Sequence, residues 1–445
     1  MAQPEKTTPS GGRRFFIMLL LSVIIPAAAA LPLFARTSFA AGFHAGSTCE
    51  GCHTSHNSLA GQGMTVNPMP AATANPSLLL ARDPSSTCLT CHERRGAAGP
   101  DSYLVSTAPA DMPSGLPPVQ MPPGGDFGWL KKTYTWTSES GQFMTSAGDS
   151  HGHNIIAADY GYAVDPVLSQ APGGTYPASG LQCTSCHDPH NLFRISDDGT
   201  ESAAGKPIMD LGSFGAAPTA TGTVSAYRML GGTGYAETSN PGFAFTYQSP
   251  AAVSPAAYNR AESVTQTRVA YGSGMSEWCS NCHTQYLRAG YDGGAAHPHA
   301  AGNAAALGTS FSANYASYVK NAGDPPYLSL VPFETGDKND LAGRAAMTAL
   351  ARSDDSRLDG PAQTSNVSCL TCHRAHASGW DSALRWNHQS AYIVYHGAYP
   401  GMDNGAPADY AQGRTSAEAS RASYDKPASS FMSLDQGPLC HKCHP

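Results

Sequence analysis

Charged residues are scarce in this chain. Asp, Glu, Lys and Arg together make up only 13 % of it, and the formal net charge of −7 is spread without a block of one sign. Proteins that bind nucleic acids or anionic membranes usually carry a basic patch or stripe. The composition therefore indicates neither a nucleic-acid partner nor an anionic membrane surface.

The sequence also offers little support for long regular elements, because its 46 glycines and 34 prolines interrupt helices and sheets. The best helical spacing lies at residues 300–319 and 340–352, where alanine favours helix. Residues 131–137 alternate threonine with tyrosine and tryptophan, which predicts a short strand with one aromatic face. The glycine- and proline-rich residues 111–126 are predicted to be loop.

No cysteine is left over from one repeated motif. The pattern Cys-x-x-Cys-His occurs six times, and it is the pattern for covalent attachment of a c-type haem. The two thiols add to the haem vinyl groups, and the histidine becomes the proximal iron ligand. The sequence thus predicts six covalently bound haem c groups. The cysteines are Cys49, Cys52, Cys88, Cys91, Cys183, Cys186, Cys279, Cys282, Cys369, Cys372, Cys440 and Cys443, and the proximal histidines are His53, His92, His187, His283, His373 and His444.

Paired cysteines also occur in disulfide frameworks and in zinc sites. Neither requires a histidine directly after every second cysteine, and zinc sites usually combine two half-sites at a narrower, repeating separation. From the second motif to the fifth, the first cysteines lie 90 to 96 residues apart. Because the intervening segments do not resemble one another, the sequence alone does not indicate a duplication.

Three further histidines share one offset. His56, His190 and His376 each lie three residues after a proximal histidine. That distance along the chain is too short to reach the far face of the same haem, so each is free to ligate a different iron. Methionine would raise the potential as a ligand, but none of the 13 methionines has a recurrent offset from a motif. The pattern favours two histidines on each iron and haems packed side by side.

The chain opens with a segment typical of export. Two arginines precede an apolar run at residues 15–33, and small residues at 38–40 form a cleavage site, which predicts a signal peptide at 1–40. The alternative is a retained membrane anchor, which the two prolines in the run and the small-residue site disfavour. The paired arginines resemble a twin-arginine signal, but haem attachment to an unfolded chain outside the cytoplasm favours export before folding.

We expect residues 41–445 to form a single hexahaem cytochrome c unit whose core is mostly cofactor. The aromatic face of the predicted strand is expected to lie on a haem or on a neighbouring chain.

Four long stretches that extend well beyond the motifs carry a resemblance. They are PGGDFGWLKKTYTW (123–136), APGGTYPASGLQCTSCHDPH (171–190), YNRAESVTQTRVAYGSGMSEWCSNCH (258–283) and SNVSCLTCHRAHASG (365–379). With these stretches the chain resembles the extracellular cytochrome nanowires, the filament-forming hexahaem outer-surface c-type cytochromes of metal-reducing bacteria. The resemblance implies a multihaem cytochrome c of mostly irregular coil and turns, with few short helices and minor β-strands wrapped around a continuous haem stack.

The resemblance also implies a distal histidine for each haem. The matching residues are His44, His56, His153, His190, His299 and His376. In the family, the histidine matching His56 ligates the fifth haem of the next subunit, so His56 is expected to reach the iron held by His373 of an adjacent copy.

This chain departs from the family at two places. His297 is an alternative to His299, although the Ala-Gly-Asn that follows favours His299. Residues 387–430 match poorly, so the filament geometry could differ if they form subunit contacts. Four further histidines, His151, His388, His396 and His441, are not expected to be ligands.

Six irons with both axial positions filled favour electron transfer over catalysis. We therefore expect a non-enzymatic protein, exported to the extracellular space or the outer cell surface, that polymerises with itself. It would receive electrons from upstream outer-membrane or periplasmic cytochromes and pass them to external acceptors such as metal oxides. The alternatives are a monomeric periplasmic or outer-surface carrier and a multihaem reductase with one open haem.

Overall fold

The computed structural model describes the protein at residues 44, 49–54, 58–59, 62–63, 77–93, 103–203, 223–253, 269–287, 299–317, 331–335, 341–351, 361–426, 428, 435 and 437–444. All of them lie within Ala40–Pro445, which form one compact unit. The predicted signal peptide, His56 and His297 lie outside the described residues. Across these ranges, no helix has the length and apolarity that crossing a bilayer requires.

The α-helices are short, as predicted. They are α1 (Pro84–His92), α2 (Met275–Cys279), α3 (Gly308–Ser317), α4 (Leu341–Leu350), α5 (Cys369–Cys372), α6 (Ala408–Ala411) and α7 (Ser416–Ala422). Helices α3 and α4 confirm the two helical segments predicted from alanine spacing. Helix α3 begins later than predicted, because the chain before it pairs with the segment that precedes the fifth motif: Leu307 N–H donates to the Ser365 carbonyl over 2.9 Å.

Short 3₁₀ turns recur along the described chain. They are Cys49–Gly51, Pro109–Asp111, Phe127–Lys131, Gly148–His151, Ala158–Tyr160, Ala178–Gly180, Cys183–Ser185, Tyr227–Met229, Asp381–Ala383 and Leu439–Lys442. Three of these turns and the one-turn helix α5 hold haem motifs. Helix α1 is longer because Asp83 caps it by accepting the Ser86 N–H over 2.7 Å and Pro84 occupies its first position.

The strands form small antiparallel sheets. They are β1 (Ser58–Leu59), β2 (Gln62–Gly63), β3 (Tyr134–Thr137), β4 (Phe143–Ser146), β5 (Phe193–Ile195), β6 (Glu201–Ala203), β7 (Val224–Ser225), β8 (Ala252–Val253) and β9 (Ala270–Tyr271). The pairs are β1 with β2, β3 with β4, β5 with both β6 and β7, and β8 with β9. Residues 112–126 contain neither helix nor strand, as predicted for that loop.

Strand β3 confirms the predicted aromatic face, since Tyr134 and Trp136 are buried and the threonines between and after them are exposed. The predicted contact of that face was wrong. Tyr134 Oη donates to Glu418 over 3.1 Å, and Trp136 Nε1 donates to Asp409 over 3.1 Å. The face therefore packs on the C-terminal helices of its own chain, where carboxylates accept both polar hydrogens.

Apolar side chains gather in several clusters, and three of them contain a leucine beside the first cysteine of a motif. Leu89 packs with Phe127 and Ile155, Leu370 with Tyr271, and Leu439 lies in the cluster that holds Trp129 and Trp380. Each of these motifs is thus anchored by an apolar residue at its start.

Candidate haem-binding site

One helical turn shapes the motifs. His53 N–H donates to the Cys49 carbonyl over 2.8 Å, and the same bond from the histidine to the first cysteine closes the third, fourth, fifth and sixth motifs at 2.9 to 3.1 Å. Residues at i, i+3 and i+4 of such a turn lie on one face. Both cysteines and the histidine of each motif therefore face the same way. The twelve cysteines form no disulfide with one another.

Five of the six motif histidines face a second histidine ring at nearly one distance. The pairs, with their ring-centroid separations, are His44 with His92 (6.2 Å), His53 with His190 (6.4 Å), His153 with His283 (6.0 Å), His187 with His376 (6.4 Å) and His299 with His444 (6.1 Å). Each pair joins a motif histidine to one of the histidines that the family resemblance marked as distal. For the remaining motif histidine, His373 of the fifth motif, the expected partner His56 lies outside the described residues.

The separation of the rings matches one iron between two imidazoles. A metal–imidazole bond is about 2.0 Å long and the nitrogen lies about 1.2 Å from its ring centroid, so two rings on opposite sides of one metal have centroids about 6.3 Å apart. The interplanar angles range from 12° to 80°, so a common stacking geometry does not explain the constant distance. The donor set of two thiols and two imidazoles at each place is that of a haem c site. In the described part of the chain, no group of three or more His, Cys, Asp and Glu side chains is placed to hold a bare metal ion.

Main-chain carbonyls fix the tautomer of five of the six motif histidines. Nδ1 of His53, His92, His187, His283 and His373 lies 2.5 to 2.9 Å from the carbonyl oxygens of Ser77, Tyr103, Arg228, Pro172 and Ser382, respectively. A carbonyl only accepts, so Nδ1 carries the proton and donates. Nε2 is then left with its lone pair, which is the form that binds a metal. His153 and His376 make the same bond to the Ala375 and Gly125 carbonyls, at 2.7 and 3.1 Å.

Burial keeps several of these imidazoles neutral. It lowers the pKa of His44 and of His283 to about 4, and that of His376 to about 3, and neighbouring imidazoles act in the same direction. A buried imidazolium would lose its hydration without gaining a carboxylate. Neutral rings leave Nε2 available at all pH values near neutrality.

The ring pairs follow a pattern that repeats three times along the chain. Each repeat contains, in order, a leading histidine, a motif, a trailing histidine and a second motif. The leading histidines His44, His153 and His299 face the histidines of the second, fourth and sixth motifs. The trailing histidines His190 and His376 face the histidines of the first and third motifs, two motifs back along the chain.

A shared supporting turn strengthens this repeat at the odd-numbered motifs. The motif histidines His53, His187 and His373 each form a β-bridge with a leucine, namely Leu79, Leu230 and Leu384. In all three, the residue two before the leucine supplies the carbonyl that accepts from Nδ1, and the residue one before it has a left-handed backbone: φ is 51° at Leu78, 56° at Met229 and 55° at Ala383. Such a conformation is costly for residues other than glycine. Its threefold occurrence marks one structural unit, which the sequence did not reveal.

His376 depends on the glycines of the stretch at residues 123–136. Its N–H donates to the Gly124 carbonyl over 2.6 Å, and a Cβ on Gly124 would lie 2.9 Å from its ring. Gly125 has φ +100°, and a Cβ there would lie 1.8 Å from the Ala377 carbonyl oxygen. Only glycine lets the chain approach His376 this closely.

His151 is held by the protein on both sides of its ring. Its Nδ1 donates to the Trp129 carbonyl over 3.0 Å, its Nε2 lies 2.8 Å from Ser146 Oγ, and the side chain is fully buried. No ring nitrogen is left for iron, in agreement with the expectation that His151 is not a ligand. His388, His396 and His441 are exposed at the surface.

A buried carboxyl lies between the fourth and fifth motifs. Glu334 Oε1 accepts the N–H groups of Met275 and Ser276 over 3.0 and 3.3 Å, and its backbone bridges Tyr271 and Asn366. Burial, with a smaller contribution from Glu277, raises the pKa of Glu334 to about 7. The group is therefore partly protonated at neutral pH.

Replacing Glu334 by Gln is expected to remove a pH dependence of stability. The folded-state pKa of about 7 exceeds the ordinary value of 4.5, so the folded chain binds the extra proton between these values and loses stability as pH rises through them. Between pH 4.5 and pH 8, the free energy of unfolding of the Gln variant should rise by about 3 kcal/mol relative to that of the wild type. Guanidinium unfolding of the haem-loaded protein at several pH values measures the difference. A difference that stays constant with pH would contradict the assignment, and Glu277→Gln should reduce the slope.

No family model matches the chain. The c-type cytochrome OmcS of Geobacter sulfurreducens is 48 % identical over 431 residues, which cover 94 % of this chain and 97 % of that protein. The chain belongs to the OmcS family of c-type cytochromes.

Two solved structures of OmcS agree with this membership. The cryo-EM structure of the OmcS nanowires has a TM-score of 0.79 at 47 % identity and covers 90 % of this chain and 99 % of that one. The structure of the outer membrane cytochrome S filament has a TM-score of 0.77 at 47 % identity, with coverages of 90 % and 98 %. The predicted fold class is confirmed: this relative of OmcS is a multihaem c-type cytochrome of mostly irregular chain with short helices and minor strands.

Proposed function

We propose that this OmcS relative carries six haem c groups, each held by two cysteines and two histidines, and that it polymerises into an extracellular filament that conducts electrons. The observation that carries the proposal is the set of five histidine pairs at 6.0 to 6.4 Å, each pair beside its own two cysteines. Bound haem supplies the one-electron chemistry. The family membership supports an electron-transfer role and a location outside the cell.

Within one chain, five of the six haem irons would have a histidine on each side, and the fifth haem would take its second histidine from an adjacent copy. The proximal ligands are the six motif histidines, and the distal ligands are His190, His44, His376, His153 and His299 for the first, second, third, fourth and sixth haems, in that order. With haem bound, a histidine on each side would leave no iron position open to a substrate, and the carbonyl bonds to Nδ1 hold the rings in place. Such a site exchanges electrons without binding a substrate.

The trailing histidines give a reason for polymerisation. His190 follows the third motif and faces the first, and His376 follows the fifth motif and faces the third. By the same rule His56, which follows the first motif, would face the histidine of the motif two places before it. In a head-to-tail polymer that motif is the fifth motif of the adjacent copy, whose proximal histidine is His373. The pairing of the trailing histidines and the family resemblance thus predict the same bond between subunits.

Filaments secreted by cells that express the full chain test the proposal. Mass spectrometry should find six haems per chain, reduced and oxidised spectra should be low-spin throughout, and dry filaments should conduct between electrodes. A soluble monomer with every iron six-coordinate would instead support the carrier. A high-spin haem that turns over nitrite or hydroxylamine would support the reductase. We also propose that upstream cytochromes donate the electrons and that metal oxides accept them. Electron uptake by ferric oxide measures the transfer to the acceptor.

Two histidines only two residues apart should respond in opposite ways to replacement by alanine. His153→Ala removes the distal ligand opposite His283, so one of the six haems should become high-spin and bind carbon monoxide when reduced. His151→Ala should leave the spectrum unchanged and lower the free energy of unfolding by about 2 kcal/mol, because buried partners lose their hydrogen bonds. Magnetic circular dichroism and denaturant unfolding separate the two. A low-spin spectrum in the His153 variant would remove His153 from the ligand set.

A further inference from the structure

Two serines outside the haem motifs join consecutive motifs in the same way. Ser85, in helix α1, accepts the Cys183 N–H on its Oγ over 2.9 Å. Ser276, in helix α2, accepts the Cys369 N–H on its Oγ over 3.0 Å. Each serine lies three residues before the first cysteine of its own motif, and both are fully buried. The second motif is thus bonded to the third, and the fourth to the fifth.

The cysteines at these two junctions are also in contact. Cys88 lies beside Cys183 and Cys279 lies beside Cys369, close enough for each thiol to influence the other. These are the first cysteines of their motifs, so with haem attached equivalent thioether links would lie side by side at both junctions. The serine bonds hold the two backbones at the distance that this contact requires.

The N–H groups that the serines satisfy would otherwise have no helical partner. Cys183 and Cys369 are the first residues of the turn Cys183–Ser185 and of helix α5, and the first N–H groups of a helix cannot bond within it. A serine from the preceding motif therefore caps the turn that carries the next haem. The position three residues before Cys440 is Gly437, so the sixth motif has no serine hydroxyl there to accept an N–H from a following motif.

We infer that Ser85 and Ser276 are positioning residues for electron transfer, which fix the relative placement of consecutive haem motifs at the junctions between the three two-motif repeats. The inference rests on the proposed function for its electron-transfer part, whereas the motif-to-motif bond stands on the geometry alone. Because haems in a filament act in series, loosening either junction limits the flow along the whole chain.

The variants Ser85→Ala and Ser276→Ala test this, and each is the control for the other. Hydrogen–deuterium exchange of the haem-loaded protein should be faster at Cys183 alone in the first variant and at Cys369 alone in the second, by at least about tenfold. Both should keep six low-spin haems but change the Soret circular dichroism that reports contacts between haems, and their filaments should conduct less well than the wild type. Ser312 donates its Oγ–H within its own helix to the Gly308 carbonyl over 2.6 Å. The control variant Ser312→Ala should therefore change neither the exchange at the two cysteines, nor the Soret signal, nor the conductance.

Ser85→Thr and Ser276→Thr retain the hydroxyl and should restore slow exchange and the Soret signal. Exchange that is unchanged, or that rises equally throughout the chain, would overturn the inference, as would alanine variants with wild-type Soret signal and conductance. Wild-type filaments that fail to conduct would instead count against the proposed function, while the exchange and Soret measurements would still decide whether the serines position the motifs.

Discussion

Cells that express the His56→Ala variant are expected to secrete the protein as monomers instead of filaments. In the proposed polymer His56 supplies a metal bond across every subunit junction, so its loss removes both a link between copies and the sixth ligand of the haem held at His373. The monomer should carry six haems, one of them high-spin. Negative-stain electron microscopy, size-exclusion chromatography and carbon monoxide binding measure these three properties.

The matched control is His190→Ala, which has the same offset from its motif but faces His53 within the same chain, with ring centroids 6.4 Å apart. It should also produce one high-spin haem, yet still form filaments. Added imidazole should return both variants to low-spin spectra without restoring filaments to the His56 variant. Filaments of normal length in the His56 variant would show that the junction does not depend on this histidine.

Arg414→Met is expected to lower the free energy of unfolding by about 3 to 5 kcal/mol, because it leaves buried acceptors without a donor. Arg414 is fully buried and donates to the Gly379 carbonyl over 2.7 Å, to the Gln412 carbonyl over 3.0 Å and to Ser146 Oγ over 2.9 Å. Its guanidinium also lies between the rings of Tyr134 and Trp380, 4.2 and 4.3 Å from their centroids.

Unfolding of the haem-loaded variant in guanidinium chloride measures this loss of free energy. Arg82→Met is the control, since its salt bridge to Asp159 spans 2.9 Å at a partly exposed surface and should cost about 1 kcal/mol or less. Burial lowers the pKa of Arg414 to about 10, so it stays charged at neutral pH and the loss should not depend on pH between 5 and 8. Equal losses in the two variants would mean that Arg414 does not hold the C-terminal segment to strand β4.

The chemistry of the site could be read from the sequence because the haem motif is local. Two cysteines and a histidine within five residues define each attachment point, and the turn that aligns them closes on itself. The family resemblance supplied the distal histidines, and the structure pairs five of them with motif histidines. Which distal histidine faces which motif could not be read, because His376 and its partner His187 are far apart in sequence and meet only through the fold.

The threefold repeat was also beyond sequence reasoning, for a physical reason. The supporting turns at Leu79, Leu230 and Leu384 share a backbone conformation and a leucine, but the residues around them differ. Main-chain carbonyls do the bonding there, and any residue can supply them. The serines were in principle visible, since Ser85 and Ser276 have the same offset from their motifs, but nothing in the sequence says that they bond the next motif along the chain.

A cryo-EM map of the secreted filaments would show the haems and their ligands directly. We expect six haem densities per subunit, five of them between the histidine pairs of one chain and the fifth haem between His373 of one copy and His56 of the adjacent copy. The junctions at Ser85 and Ser276 should appear as the two places where haem motifs of one chain are bonded through a serine. Fewer than six haems, a distal ligand other than these histidines, or His56 bound within its own chain would show that the filament is not joined by histidine ligation between copies as proposed.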